Sequence, residues 1–213
     1  PGSKYDVLKN PDGSFVYEVG QPVTFRIGAL VLGSVTIDKN KRVFPVDLVA
    51  GARDETHPKV SLMARLLQSL DSDHDPSNGI TINEAGRAAI TNVIRLAETD
   101  PQAALAAIQT ALGATTLVSD AAAQQHLRAS LLQEYAGHWS GTYSGGDNGT
   151  CDVTVSAQGN VSGTCNSALY PSPYGVSGTI QSSGASTATS GTAQTGATFI
   201  GTYERSGTVS GTW

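Results

Sequence analysis

Charge is scarce in this chain: Asp, Glu, Lys and Arg make up 15% of 213 residues, and the net charge is −5. No basic patch is present to neutralise a phosphate backbone, which excludes nucleic acid as a partner. No run of about 18 apolar residues occurs either, so a transmembrane helix is not expected. Cysteine is nearly absent, with Cys151 and Cys165 alone and no C-x-x-C spacing, which excludes a zinc site built on thiolates. Methionine is reduced to Met63. A Gly-x-Ser-x-Gly elbow is missing; Gly137-His138-Trp139-Ser140-Gly141 has the wrong spacing and opens a strand rather than a strand-to-helix turn. The histidines His57, His74, His126 and His138 fall in no catalytic setting. Pro1-Gly2-Ser3 reads as a cloning remnant, and any signal peptide as already removed.

What is present divides the chain in three. Residues 4–50 have strand character: Ser14-Phe15-Val16-Tyr17 follows a Pro11-Asp12-Gly13 turn signal, and two further runs, 23–27 and 31–37, alternate apolar with polar or small residues. A β-unit of three or four strands is expected. Residues 58–136 read as four helices. Pro58 suits a first turn, with Val60, Met63, Leu66, Leu67 and Leu70 at helical spacing. A second helix is expected from about Asn83 to Ala97, with Ala89, Ile90, Val93, Ile94 and Leu96 inward. A third opens at Asp100-Pro101 and stops at Gly113; a fourth is capped by Ser119 or Asp120, carries Leu127, Leu131 and Leu132, and ends near Gly137.

Residues 138–213 carry only Asp147, Asp152, Glu204 and Arg205 as charges, and Gly, Ser and Thr dominate. A disordered linker has such a bias, but here a unit repeats: Ser140-Gly-Thr, Ser162-Gly-Thr, Ser177-Gly-Thr, Ser190-Gly-Thr, Ile200-Gly-Thr, Ser206-Gly-Thr and Ser210-Gly-Thr. Alternation of threonine, valine and aromatics around it predicts a meander of seven or eight antiparallel strands, closed as a small barrel or sandwich with Trp139 and Trp213 filling its core. Cys151 and Cys165 would bridge a hairpin within it, which points to an oxidising compartment. The fold class is therefore α+β, with a β-unit and helical domain over 4–137 and a Gly/Ser/Thr-rich β-domain over 138–213.

The chemistry-bearing stretch runs from Asp71 to Glu84, between two helices. Asp71, Asp73 and Asp75 lie at alternate positions, and hard oxygen donors in that number suit Ca²⁺. Counted forward against the twelve-residue EF-hand loop, they take its first three ligand places. Counted back from Glu84, Gly79 falls on the carbonyl place, Ile80 on the aliphatic place and Thr81 on the ninth. The two counts disagree by two residues, with Pro76-Ser77-Asn78 in place of a single turn glycine, so the loop is an EF-hand-like variant. His74 lies between ligand positions as a bystander; the competing assignment is a solvated acidic turn. A sensor pairs two such loops and keeps a Met-rich face. One loop and one methionine imply a structural ion, bound at roughly 10⁻⁴ to 10⁻³ M.

The run from Leu66-Leu67-Gln68-Ser69-Leu70 through Ile80-Thr81-Ile82, with Phe15-Val16-Tyr17-Glu18-Val19-Gly20 upstream, resembles segments of Gram-negative bacterial surface lipoproteins and adhesin-like proteins, over residues 4 to about 98. That likeness implies a secreted, outer-membrane or cell-surface location; no lipid-attachment cysteine is present. A non-catalytic surface protein is expected, an adhesin or a module binding a glycan or protein ligand, with Tyr170 and Tyr174 beside Pro171 and Pro173 as candidate contacts. The alternatives are a secreted hydrolase and a structural envelope spacer or assembly subunit.

Overall fold

The computed structural model describes residues 14–37, 42–88, 95–113, 116–190 and 196–213. The turn signal at 11–13 and the expected inward residues Ala89, Ile90, Val93 and Ile94 lie outside the described residues. The chain separates into two compact units, Pro1–Leu127 and Arg128–Trp213. The division falls inside a helix.

In the first unit, β1 (Pro22–Ile27) and β2 (Leu30–Thr36) form an antiparallel hairpin with an irregularity at Phe25/Arg26. The expected three or four strands reduce to these two among the described residues; Ser14–Tyr17 lie outside regular structure. Helix α1 (Pro58–Ser69) begins where expected, because His57 accepts the Lys59 N–H through its side chain and Pro58 needs no donor partner in the first turn. Helix α2 is described over Glu84–Ala88. Of its expected extension to Ala97, residues 89–94 lie outside the described residues and 95–97 are not helical. Arg95 bridges Val31, and the N–H groups of Leu96 and Ala97 donate to the carbonyls of Val31 and Leu32, so this segment runs beside β2. Helical spacing and a strand-side bridge both bury Leu96, and the sequence pattern does not tell them apart. Helix α3 (Pro101–Leu112) is capped by Asp100, which accepts from Gln102 and Ala103 N–H. Helix α4 spans Asp120–Gln133. Leu30, Ile37, Val60, Met63, Leu66 and Leu96 are fully removed from water, each burial stabilising by about 1.5–3 kcal/mol.

The second unit is a seven-stranded antiparallel meander in strict sequence order: β3 (Gly137–Tyr143), β4 (Gly149–Val155), β5 (Asn160–Ser167), β6 (Tyr174–Ile180), β7 (Ala185–Ser190), β8 (Ala197–Glu204) and β9 (Thr208–Thr212). The sheet curls into a half-barrel. Cys151 and Cys165 face each other across β4 and β5, Cα atoms 4.0 Å apart, and form the expected disulfide. Among the described residues, no helix is long and apolar enough to cross a membrane.

The repeat has a geometric meaning. Burial alternates along β4 to β8, and the middle residue of each Ser-Gly-Thr unit in a strand has the parity of the inward residues. Glycine therefore faces the concave side, while serine and threonine face water. Curling crowds the concave side. A Cβ at Gly163 would meet the Asp152 carbonyl oxygen and lie 2.6 Å from Val153 Cα. One at Gly178 would meet the Thr187 carbonyl oxygen and lie 2.5 Å from Ala188 Cα. Neighbouring backbones approach this closely only where no side chain intervenes.

Candidate functional site, the hollow of the half-barrel

Glycine on the concave face leaves space as well as curvature. Part of the space is filled by Leu132 and Tyr135, which follow through the end of α4 and pack with Val155, Val161, Ile180 and Tyr203. The same face continues into a cavity of about 200 Å³. Its walls include Trp139, Tyr143, the Cys151–Cys165 bridge, Val176, Ala188, Phe199 and Trp213. Aromatic rings surround it in ordered pairs. Trp139 meets Tyr203 edge-on at 4.8 Å, Tyr143 meets Trp213 edge-on at 5.4 Å, and Phe199 stacks on Trp213 at 6.3 Å. Trp139 packs against this core as expected, whereas Trp213 does not. Trp139 is half-buried and Trp213 is 45% exposed, so both are walls of a hollow.

Several polar groups of these walls are engaged within the protein. Trp139 Nε1–H donates to the Tyr135 carbonyl at 2.9 Å, and Trp213 Nε1–H to the Ser144 carbonyl at 3.4 Å. Tyr174 O–H donates to Tyr143, whose own O–H donates to Asp147 Oδ2, each at 2.9 Å. Withdrawal from water, then the bonds to Tyr174 and Asp147, push the Tyr143 phenol well above its ordinary range. The Ser167 hydroxyl, with help from Tyr143 and the Asn148 N–H, holds the Asp147 carboxyl below the usual carboxylate range. Ser186 Oγ donates to the Gly201 carbonyl at 3.2 Å. Donors spent on internal acceptors leave rings and apolar carbon facing the hollow.

Of the two tyrosines singled out from the sequence, Tyr174 belongs to this hydroxyl chain. Tyr170 stands 67% exposed beside Leu169, at 65%, on the β5–β6 connection. The hollow itself had a signal in the sequence. Trp139 on β3 and Phe199 and Tyr203 on β8 share the parity of the repeat glycines of those strands, and Trp213, just past β9, that of Gly211, which marks one face as both glycine-bearing and aromatic.

The acidic loop is placed between α1 and α2, and its ends are drawn together: Asp71 bridges Ile82, and Ser72 N–H donates to the Thr81 carbonyl. Asp71 is 1% exposed; its Oδ1 accepts the Thr81 N–H at 2.8 Å, and its Oδ2 is buried without a partner. Asp73 is exposed and accepts from Asn78 Nδ2 at 2.8 Å and from Asp75 N–H at 3.1 Å. The bond from Asn78, then that from Asp75, with a smaller contribution from Asp71, holds the Asp73 carboxyl below its ordinary pKa. Asp75 turns to cap the short 3-10 turn Pro76–Asn78, accepting from Ser77. Gly79 takes φ 106°, Glu84 opens α2, and His74 adopts a left-handed conformation at φ 56°. Among the described residues, no group of three or more His, Cys, Asp or Glu side chains is gathered as a metal site. The loop thus ties Asp71 to Thr81 and Asp73 to Asp75 and Asn78; of the expected ligands only Asp71 is buried, and Asp73, Asp75, Gly79, Thr81 and Glu84 are exposed.

A histidine–carboxylate pair does occur, His138 Nε2 to Asp152 Oδ1 at 3.5 Å. Both side chains are more than half exposed, on residues of outward parity, and neither lines the cavity. The chain matches no protein-family model, and comparison with curated proteins and with solved structures finds no match.

Proposed function

We propose that this chain is a non-catalytic binding module of the bacterial cell surface or secreted space, and that the hollow of its half-barrel takes a small, largely apolar ligand bearing a flat ring. The cavity of about 200 Å³ walled by Trp139, Tyr143, Phe199 and Trp213 carries this proposal. Such sites are concave and mostly apolar, with few polar groups. Rings whose N–H and O–H donors are satisfied within the protein offer faces and edges, and these favour an aromatic or aliphatic guest over a heavily hydroxylated one. The disulfide supports an oxidising compartment. In this account the small N-terminal β-unit and the helices with their EF-hand-like connection form the companion domain.

Recognition of a glycan or protein surface through the exposed Leu169–Tyr170 pair is a second possibility, favoured by the exposure of both side chains on a loop tip. A hydrolase draws no support from His138 and Asp152, which pair in the open rather than in a cleft. A spacer or assembly subunit would leave the hollow without a use. The test is a titration of the full chain with N-phenyl-1-naphthylamine, a neutral aromatic probe. Micromolar binding that weakens at least tenfold in Phe199→Ala, and not in Tyr170→Ala, supports the hollow. A glycan array that responds to the wild type and dims with Tyr170→Ala, without any probe binding, would replace the hollow with the loop.

A further inference from the structure

A carboxylate that is 1% exposed, with one oxygen buried and unpartnered, is costly to leave as it stands. Asp71 Oδ2 is such an atom. The rest of the loop leads to the same place: Oδ1 is fixed by the Thr81 N–H, and the second carboxyl, Asp73, lies within hydrogen-bonding reach of Asp71. A cation held by both carboxyls would give the orphaned lone pairs of Asp71 Oδ2 a partner.

We infer that this loop binds one Ca²⁺ ion, with Asp71 Oδ2 as the buried ligand and the Asp73 carboxylate opposite it. Loop carbonyls and water complete the shell. Calcium is the ion chosen because it accepts irregular sets of six to eight oxygens, whereas Mg²⁺ demands near-ideal octahedral geometry and keeps its water. The sequence offered three aspartates at equal rank. The structure ranks them instead, because only Asp71 combines burial with a free oxygen, while Asp75 is spent on capping the 3-10 turn. The ion would tie the end of α1 to the segment entering α2, across the Asp71–Ile82 bridge. This inference goes beyond the hollow and does not depend on it; the loop lies in the other unit.

The test is calorimetric titration of the EDTA-treated full chain with CaCl₂ and, separately, MgCl₂, paired with thermal melts. One site is expected at roughly 10⁻⁴ to 10⁻³ M for calcium, with a raised melting temperature in millimolar calcium and a weaker response to magnesium. Asp73→Asn, on the exposed side, should fold as the wild type and lose about tenfold or more in calcium affinity. Asp71→Asn should abolish the calcium shift and melt no lower than the wild type in EDTA, since its amide can donate to Asp73. No heat of binding in the wild type, or equal calcium affinity in Asp73→Asn, would overturn the site. Equal responses to both metals in all three proteins would assign the shift to ionic strength, and so overturn it as well.

Discussion

In the first unit Leu30, Met63, Leu66, Leu96 and Ile108 are all but withdrawn from water, whereas the inward positions of β5 to β8 carry Gly163, Gly178, Ala188 and Gly201. One unit is stabilised by filling its interior. The other is held by cross-strand pairing, a disulfide and curvature, and keeps part of its interior hollow. Filled interiors are poor places for a guest; in the proposed reading the first unit is the scaffold and the second the receptacle. The difference shows that a low-hydrophobicity, glycine-rich stretch need not be disordered when its glycines recur on one face of successive strands.

The largest effect expected is Leu66→Ala, which removes a fully buried side chain from the filled unit and should cost about 2–5 kcal/mol. Helical ellipticity on heating should fall early, while tryptophan emission, which comes only from Trp139 and Trp213 in the sheet unit, should hold its midpoint. A joint shift of both signals would erase the distinction between the units. Reducing Cys151–Cys165, whose partners are 14 residues apart, should cost the sheet unit about 3 kcal/mol. The tryptophan transition should then move and the helical one should not.

Gly178→Ala should cost about 1–3 kcal/mol through the collision with the Thr187 carbonyl and Ala188. Gly175→Ala, on the same strand but with nothing within 4 Å of a Cβ, should stay within about 0.5 kcal/mol of the wild type. Equal losses at both positions would show that glycine serves the strand and not the curl. The smallest effect concerns Asp147. Its folded value is depressed below the ordinary 3.8, so its contribution is complete above that pH and is lost as pH falls through the lower folded value. Acid unfolding of the sheet followed by tryptophan emission should lose this low-pH step in Asp147→Asn, with neutral-pH behaviour retained.

Much of this arrangement was legible in the residues themselves. The meander, its start near Gly137 and the disulfide follow from turn signals, alternation and two cysteines. Helix starts at Pro58 and Pro101 follow from capping chemistry, which is local. The segment at Arg95–Ala97 was not legible, because its partner is β2, some 60 residues earlier in the chain. The hollow was half legible. Parity places glycine and aromatics on one face, yet whether that face closes, fills or stays open depends on how far the whole sheet coils, which no single strand records. In the acidic loop the spacing of Asp71, Asp73 and Asp75 was plain, while their inequality was not, since burial of Asp71 comes from tertiary packing.

The central claim is that the repeat glycines hold open an aromatic-walled receptacle. Energy transfer from Trp139 and Trp213 to bound N-phenyl-1-naphthylamine tests it most directly, because both tryptophans line the cavity and the chain has no others. Near-complete quenching of tryptophan emission with matching sensitised probe emission, lost in Gly178→Ala and weakened in Phe199→Ala, is the predicted result. Probe binding without transfer, or transfer untouched by either substitution, would place the guest elsewhere and contradict the account.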